Sequence, residues 1–307
     1  MAITTLRSFA LAGALLSAVA AAPVPPALAA PPDPAALEQA TGVKPAASPG
    51  GVQRISWARA DVPVTISGAP YIPPGGLTSW AGFQDTPHGV MMMGDTVLFE
   101  DEITPAMDAA FANGLEVTAL HNHFLFDMPK VYFMHIGGHG ETEKLGASVK
   151  AVWDAVKAVR SANAAPASAF AGEVRKAGAM DAETLAKILE TKPAVHPSGA
   201  VRFGWGRDAE MHGVRASAAM GVETWASFIG SDERASVAGD FAMTAPEMQT
   251  VLKSLRAGGI NIAAIHHHMI EGTPAYFFVH FWASGKPADL AKALHATLAE
   301  QAKASAH

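Results

Sequence analysis

The 307-residue chain contains no cysteine. That absence excludes disulfides, thiolate nucleophiles, Cys-ligated zinc and iron–sulfur clusters, and it removes the acylated cysteine of a bacterial lipid anchor. A bound metal would have to be held by His, carboxylate, Met or amide groups. Charge is sparse as well: Asp, Glu, Lys and Arg make up 16% of the residues, with a net charge of −6. No basic run exceeds two residues, so neither nucleic acid nor an anionic membrane surface is indicated as a partner. The sequence has no G-x-S-x-G, Walker loop, dinucleotide fingerprint or H-E-x-x-H, so it offers no nucleotide cofactor site and no common hydrolase signature. Outside the N-terminus no apolar run reaches the roughly eighteen residues that a membrane span needs.

What is present begins with a leader. Arg7 supplies a positive start, "FALAGALLSAVAAA" an apolar middle, and "ALA" at residues 27–29 a small-x-small cleavage signal. Residues 1–29 therefore read as a signal peptide, and the mature chain as periplasmic or secreted, with no membrane anchor after cleavage. Half of the residues are hydrophobic, enough for a sizeable core without disulfides.

The remainder is a duplication. "LEQATGVKPAASPGGVQRISWAR" aligns with "LAKILETKPAVHPSGAVRFGWGR", pairing Arg54 with Arg202, Trp57 with Trp205 and Arg59 with Arg207. A second register pairs Trp80 with Trp225, Gly94-Asp95 with Gly239-Asp240, Glu102 with Glu247 and Pro129 with Pro274. The units run over 35–160 and 182–303, with an Ala-rich linker over 161–181. In the first unit the pattern predicts a helix at Pro34–Thr41 and strands at Val52–Ala58 and Val62–Ile66. A proline-rich loop then leads to Trp80 and a strand through "VMMMGDTVLFE". A helix with Ile103, Met107, Ala110 and Phe111 on one face stops at Asn113-Gly114. Strand 115–124, a turn near Asp127–Pro129, strand 130–137 and helix 142–160 complete the unit. The fold class is α+β: two tandem units, each an antiparallel sheet with helices on one face, related by a pseudo-twofold axis.

Each unit carries H-x-H, eleven residues, H: His121, His123 and His135, then His266, His268 and His280. Strand alternation puts the first two histidines of each set on one face. A tight hairpin centred on Pro129 would place His123 opposite His135, and one centred on Pro274 would place His268 opposite His280. Three convergent imidazoles with an open fourth position form a known ligand set for catalytic zinc, and imidazole equally suits copper, iron and nickel. Zinc or copper is the expected cofactor. Asp127 and Glu271 at the turns, and Asp95, Asp240, Glu102 and Glu247, are candidate carboxylates. Glu102 and Glu247 are also candidate bases if a metal-bound water is the nucleophile. The competing reading gives the histidines structural hydrogen bonds, or an anionic small ligand, in a binding or assembly module. One ancestral pattern copied once is a single observation. Yet six of the 13 histidines stay matched between the units, while the others do not.

Met91–Met93 offer thioether ligands but read mainly as core. His88 and His139 have no counterparts, and His267 should face away from its neighbours. Arg54/Arg202 and Arg59/Arg207 suit an anion or, more simply, salt bridges with residues such as Asp61 or Asp208. Trp57/Trp205 and Trp80/Trp225 read as loop anchors.

Three stretches, "GGVQRISWARAD", "MGDTVLFEDEITPAMDAAFANGLEVTALHNHFLFDMPKVYFMHIGGHG" and "GDFAMTAPEMQTVLKSLRAGGINIAAIHHHMIEGTPAYFFVHFW", resemble the LppY/LpqO family. The likeness covers nearly all of the mature chain, and its H-N-H and H-H-H hairpins are its most specific part. It implies an exported two-repeat protein and supplies no activity. The family's namesakes are lipid-anchored, whereas this chain has no cysteine to acylate. From sequence, the function is binding of a transition metal, as a carrier or a metal-dependent enzyme, or binding of another small molecule.

Overall fold

The computed structural model describes residues 1, 31–87, 89–167 and 178–305. The expected signal peptide, part of the linker and His88 lie outside the described residues. The first repeat comprises α1 (Pro34–Thr41), β1 (Ala46–Ala47), β2 (Gln53–Ala58), β3 (Val64–Ile66), β4 (Ala69–Tyr71), β5 (Thr78–Thr86), β6 (Gly89–Phe99), α2 (Ile103–Ala112), β7 (Glu116–His121), β8 (Asp127–Met128), β9 (Val131–Gly140) and α3 (Thr142–Ala162). The second comprises α4 (Ala182–Leu189), β10 (Ala194–Val195), β11 (Val201–Gly206), β12 (Ala209–Met211), β13 (Val214–Ala216), β14 (Glu223–Gly230), β15 (Ala235–Met243), α5 (Ala245–Ala257), β16 (Asn261–His266), β17 (Phe277–Gly285) and α6 (Pro287–Ala304).

Local chemistry sets the helix ends. Asp33 caps α1 by accepting the Ala35 N–H at 2.9 Å, and Gly42 closes it at φ 71°. At the start of α5 the Glu247 carboxylate accepts the Thr244 N–H at 2.9 Å. The strand β5 is a departure from the expected loop. Its Ser79, Ala81 and Phe83 alternate inward, but Gly82 and the prolines before it mask the period.

A larger difference concerns the sheet. In place of two packed sheets there is one antiparallel sheet of twelve strands, in the order β1-β2-β5-β6-β9-β7-β16-β17-β15-β14-β11-β10. The order reads the same outward from the centre in both halves. The halves join where Leu120 of β7 pairs with Ile265 of β16. Gln249 of α5 bridges that seam, accepting from the Val117 N–H at 3.2 Å and donating to its carbonyl at 2.9 Å. Arg256 forks onto Asp108 at 2.8 and 3.0 Å. The strand β7 itself leaves its backbone open to a partner, and a paired edge satisfies those groups.

The helices lie on one face, as expected. Met107, Val149, Trp153, Leu252 and Leu294 meet Leu98, Met134, Ile136, Phe241 and Phe281 there in the main core. The opposite face is only partly covered. Val64, Leu77, Val97, Phe99 and Phe133 cluster under the β3–β4–β8 flap, and Ala209, Val222, Tyr276 and Phe278 under the β12–β13 ribbon. Between these two small clusters the sheet is open, and the histidines stand there.

Candidate metal centre

The hairpin register differs from expectation by four residues. His135 faces Ala119 and His121 faces Phe133, and in the second repeat His280 faces Ala264 and His266 faces Phe278. The reason is loop length: β7 ends at His121 and β16 at His266, so a wide loop replaces a tight turn. An even displacement leaves every side chain on its original face, so the three rings of each set still share one face. The ring centroids of His121–His123 and His121–His135 are 5.1 and 5.0 Å apart. Those of His266–His268 and His266–His280 are 5.1 and 4.5 Å apart.

The middle histidine of each set lies beyond its strand, where an aromatic ring fixes it. His123 stacks on Phe133 at 3.4 Å and His268 on Phe278 at 3.5 Å. The H-x-H spacing does not reveal this support.

The neighbouring strand supplies a carboxylate. Asp95 of β6 lies directly across from His135, and Asp240 of β15 from His280. Both are buried, Asp240 with 1% exposure. Asp240 Oδ2 lies 3.1 Å from His268 Nε2 and 3.7 Å from His266 Nε2, and its Oδ1 lies 3.8 Å from His280 Nδ1. One carboxylate thus touches three imidazoles. Asp240, His266 and His268 place one ligand atom each within 4.8 Å of one another, the set among the described residues that could hold an ion. His268 Nδ1 lies 3.0 Å from the Gly221 carbonyl. Donation there leaves Nε2 turned toward Asp240, the arrangement that orients a metal-ligating imidazole. Asp240 Oδ1 and His266 Nδ1 are buried without a hydrogen-bond partner, as is Asp95 Oδ1. Buried polar atoms are normally satisfied, so these point to an absent partner.

Electrostatics favour the ligand form of the rings. Burial lowers the pKa values of His121, His123 and His135, and repulsion between neighbouring imidazoles adds to the effect at His121 and His123. Burial lowers His266 too, with Asp240 pulling the other way. Burial raises Asp95 to about 6 against the pull of His121.

The two triads are neighbours. One step to either side of the Leu120–Ile265 pair puts Ala119 beside His266 and His121 beside Ala264. The strands carrying His135 and His280 are three spacings apart, about 14 Å. His121 and His266, by contrast, are diagonal neighbours on adjacent strands, roughly 7–8 Å apart, so the two histidine sets share one continuous stretch of the open face.

The other candidates go elsewhere. Glu102 sits in a buried fork with Arg59 at 2.9 Å and meets Arg160 at 2.7 Å. Glu247 pairs with Arg207 at 2.9 Å and with Gln301 at 2.9 Å, and these hydrogen bonds hold its pKa down to about 2 despite burial. Both carboxylates are locked into helix starts, which removes them as bases. Asp127 holds the loop by accepting from the Val131 N–H at 2.7 Å, and Glu271 is exposed near His212. Arg59 has the expected Asp61, but Asp208 takes Arg215 in place of Arg207. Met92 is core and Met93 is exposed. His139 is exposed, and His267 lies against Phe277 with ring centroids 4.9 Å apart. Trp57 packs against Trp153, while Trp80 and Trp225 stand on the open face beneath Arg54 and Arg202.

No curated protein matches the chain. Among solved structures it is similar to a trimeric bacterial microcompartment shell protein, PduB. That match has 10% identity, 84% of this chain and 90% of that chain covered, and a TM-score of 0.20, too low to support any conclusion about fold or assembly. The family model described as Domain of Unknown Function (DUF1259) matches residues 35–155 and again residues 183–300. With both repeats matched, the chain belongs to that family, as a two-repeat member.

Proposed function

We propose that this is an exported protein that binds a transition metal, zinc or copper, at one site in each repeat. His266, His268 and His280 with Asp240 would hold one ion, and His121, His123 and His135 with Asp95 the other. The observation that carries this reading is Asp240: a buried carboxylate touched by three imidazoles, with one oxygen left without a hydrogen bond. An uncompensated charge there would be costly, and a cation offsets it. Three nitrogens and an oxygen suit zinc or Cu(II) better than calcium or magnesium. The sites face solvent between the two small apolar clusters, so a coordination position stays open, which suits a metal-dependent catalyst or a carrier. The leader supports export to the periplasm or beyond, as in the LppY/LpqO-like proteins it resembles. The mirrored strand order supports a pseudo-twofold axis through the seam.

Elemental analysis of tag-free protein tests the proposal. Wild type should retain or take up zinc or copper, and His123→Ala with His268→Ala should retain neither. If wild type takes up no metal, the histidines serve structure or another ligand.

A further inference from the structure

Arg54 and Arg202 occupy matched positions on the open face, beside the two sites. Each guanidinium lies over a tryptophan, Arg54 at 4.0 Å from the Trp80 ring and Arg202 at 4.5 Å from the Trp225 ring. Those tryptophans stand directly across from the site carboxylates, Trp80 from Asp95 and Trp225 from Asp240. Their surroundings differ. Arg202 is bridged by the Glu223 carboxylate. That carboxylate reaches across β11 because Gly204 has no side chain: a Cβ there would meet Glu223 Oε2 at 3.0 Å. In the first repeat Thr78 stands where Glu223 is, and Ser56 stands where Gly204 is. Among the described residues Arg54 has no ion-pair partner. It is an exposed guanidinium held in place by its ring, in a cross-strand row that continues through Gly82, the exposed Met93 and Gly137.

We infer that Arg54 is the anion subsite of the first repeat: it holds an oxyanion group, carboxylate or phosphate, of a small ligand whose other end reaches the His121/His123/His135 site. Glu223 shows the chemistry that fills this place when the chain supplies it. A guanidinium presents a planar fork matched to carboxylate and phosphate oxygens, and stacking on Trp80 orders that fork before the ligand arrives. In the second repeat Glu223 already takes one guanidinium nitrogen of Arg202 and supplies its counter-charge, so the repeats divide the work: the first takes the anionic ligand, and the second disfavours it. The inference names a ligand class for the site proposed above and rests on that reading for the ligand's second anchor only.

Titration calorimetry with acetate and with inorganic phosphate, on metal-loaded tag-free protein, is the test. Wild type should bind one equivalent of anion. Arg54→Ala should weaken binding at least about tenfold, and Arg54→Lys should fall between, because the charge stays and the fork is lost. Ser56→Gly with Thr78→Glu should install the second repeat's ion pair and block the anion, while Glu223→Thr should free Arg202 and add a second equivalent. Loss with acetate alone assigns a carboxylate, with phosphate alone a phosphate, and with both the shared oxyanion chemistry. Unchanged binding in Arg54→Ala, with its melting temperature unaltered, overturns the inference. Metal content is measured on the same samples, so a failure of metal binding is seen separately, and the anion titration is then repeated on metal-free protein, where Arg54 must still account for it.

Discussion

The two repeats carry the same histidine pattern and arrive at different degrees of order. In the second, Asp240 touches all three imidazoles, the Gly221 carbonyl fixes the His268 ring, and His266 and His280 stack at 4.5 Å. In the first, the corresponding stack is 5.0 Å, and burial holds Asp95 at about 6, close to half-protonated near that pH. Identical ligand types therefore do not make identical sites. What differs is how much of the geometry is set before an ion arrives, and preorganisation of this kind converts directly into affinity. The second repeat should be the tighter site.

Removing one ring from each repeat should have the largest effect. His123→Ala with His268→Ala should abolish metal uptake in both repeats, read by elemental analysis. Each single variant should leave one ion, and the ion that survives in His123→Ala should be the tighter one. Next in size is the carboxylate. Asp240→Asn should weaken the second site by about a hundredfold and Asp95→Asn the first by about tenfold, losses at least as large as those of groups that only orient a ligand. Competition with a chromophoric chelator measures both. Equal losses would erase the distinction between the sites.

A smaller and more specific effect comes from pH. Asp95 has a folded value of about 6 against an ordinary 3.8, so the folded protein holds an extra proton between those limits. For the metal-free protein the sign follows: stability from this group is present below the ordinary value and is lost as pH rises through about 6. Asp95→Asn should therefore raise the melting temperature of metal-free protein at pH 8 and change it little at pH 4. Metal affinity runs the opposite way, since a protonated carboxyl does not ligate: the affinity of the first site should decline as pH falls below about 6, by up to the same tenfold that Asp95→Asn costs. Smallest of all is His267→Ala, whose ring lies against Phe277, and metal affinity should stay within about twofold.

Much of this was legible in the sequence, and the reasons are local. The first helix falls at the expected Pro34–Thr41, and the α2 stop at Asn113-Gly114 is a local chemical signal. The duplication named the six histidines and placed Asp95 and Asp240 among the possible carboxylates. What could not be read was long-range. Nothing in "EVTALH" or "NIAAIH" announces that these strands pair with each other and fuse two sheets into one. The register slipped by four residues because a turn proline does not say how wide its loop is. Face, which depends only on parity, was right where register was wrong. Glu102 and Glu247 were credible bases by residue type, and only their burial against Arg59 and Arg207 shows that they hold helix starts in place. The rings beneath His123 and His268 are fixed by strand pairing, which spacing along the chain does not encode.

The two proposed metal sites, of unequal affinity, stand near each other on the open face of one sheet. A zinc titration of metal-free, tag-free wild type, followed by calorimetry and repeated on Asp240→Asn, tests this most directly. Wild type should show two resolved binding phases, with the tighter one missing or strongly weakened in Asp240→Asn and the weaker one unchanged. No zinc uptake by wild type, or a single phase that Asp240→Asn leaves intact, would contradict it.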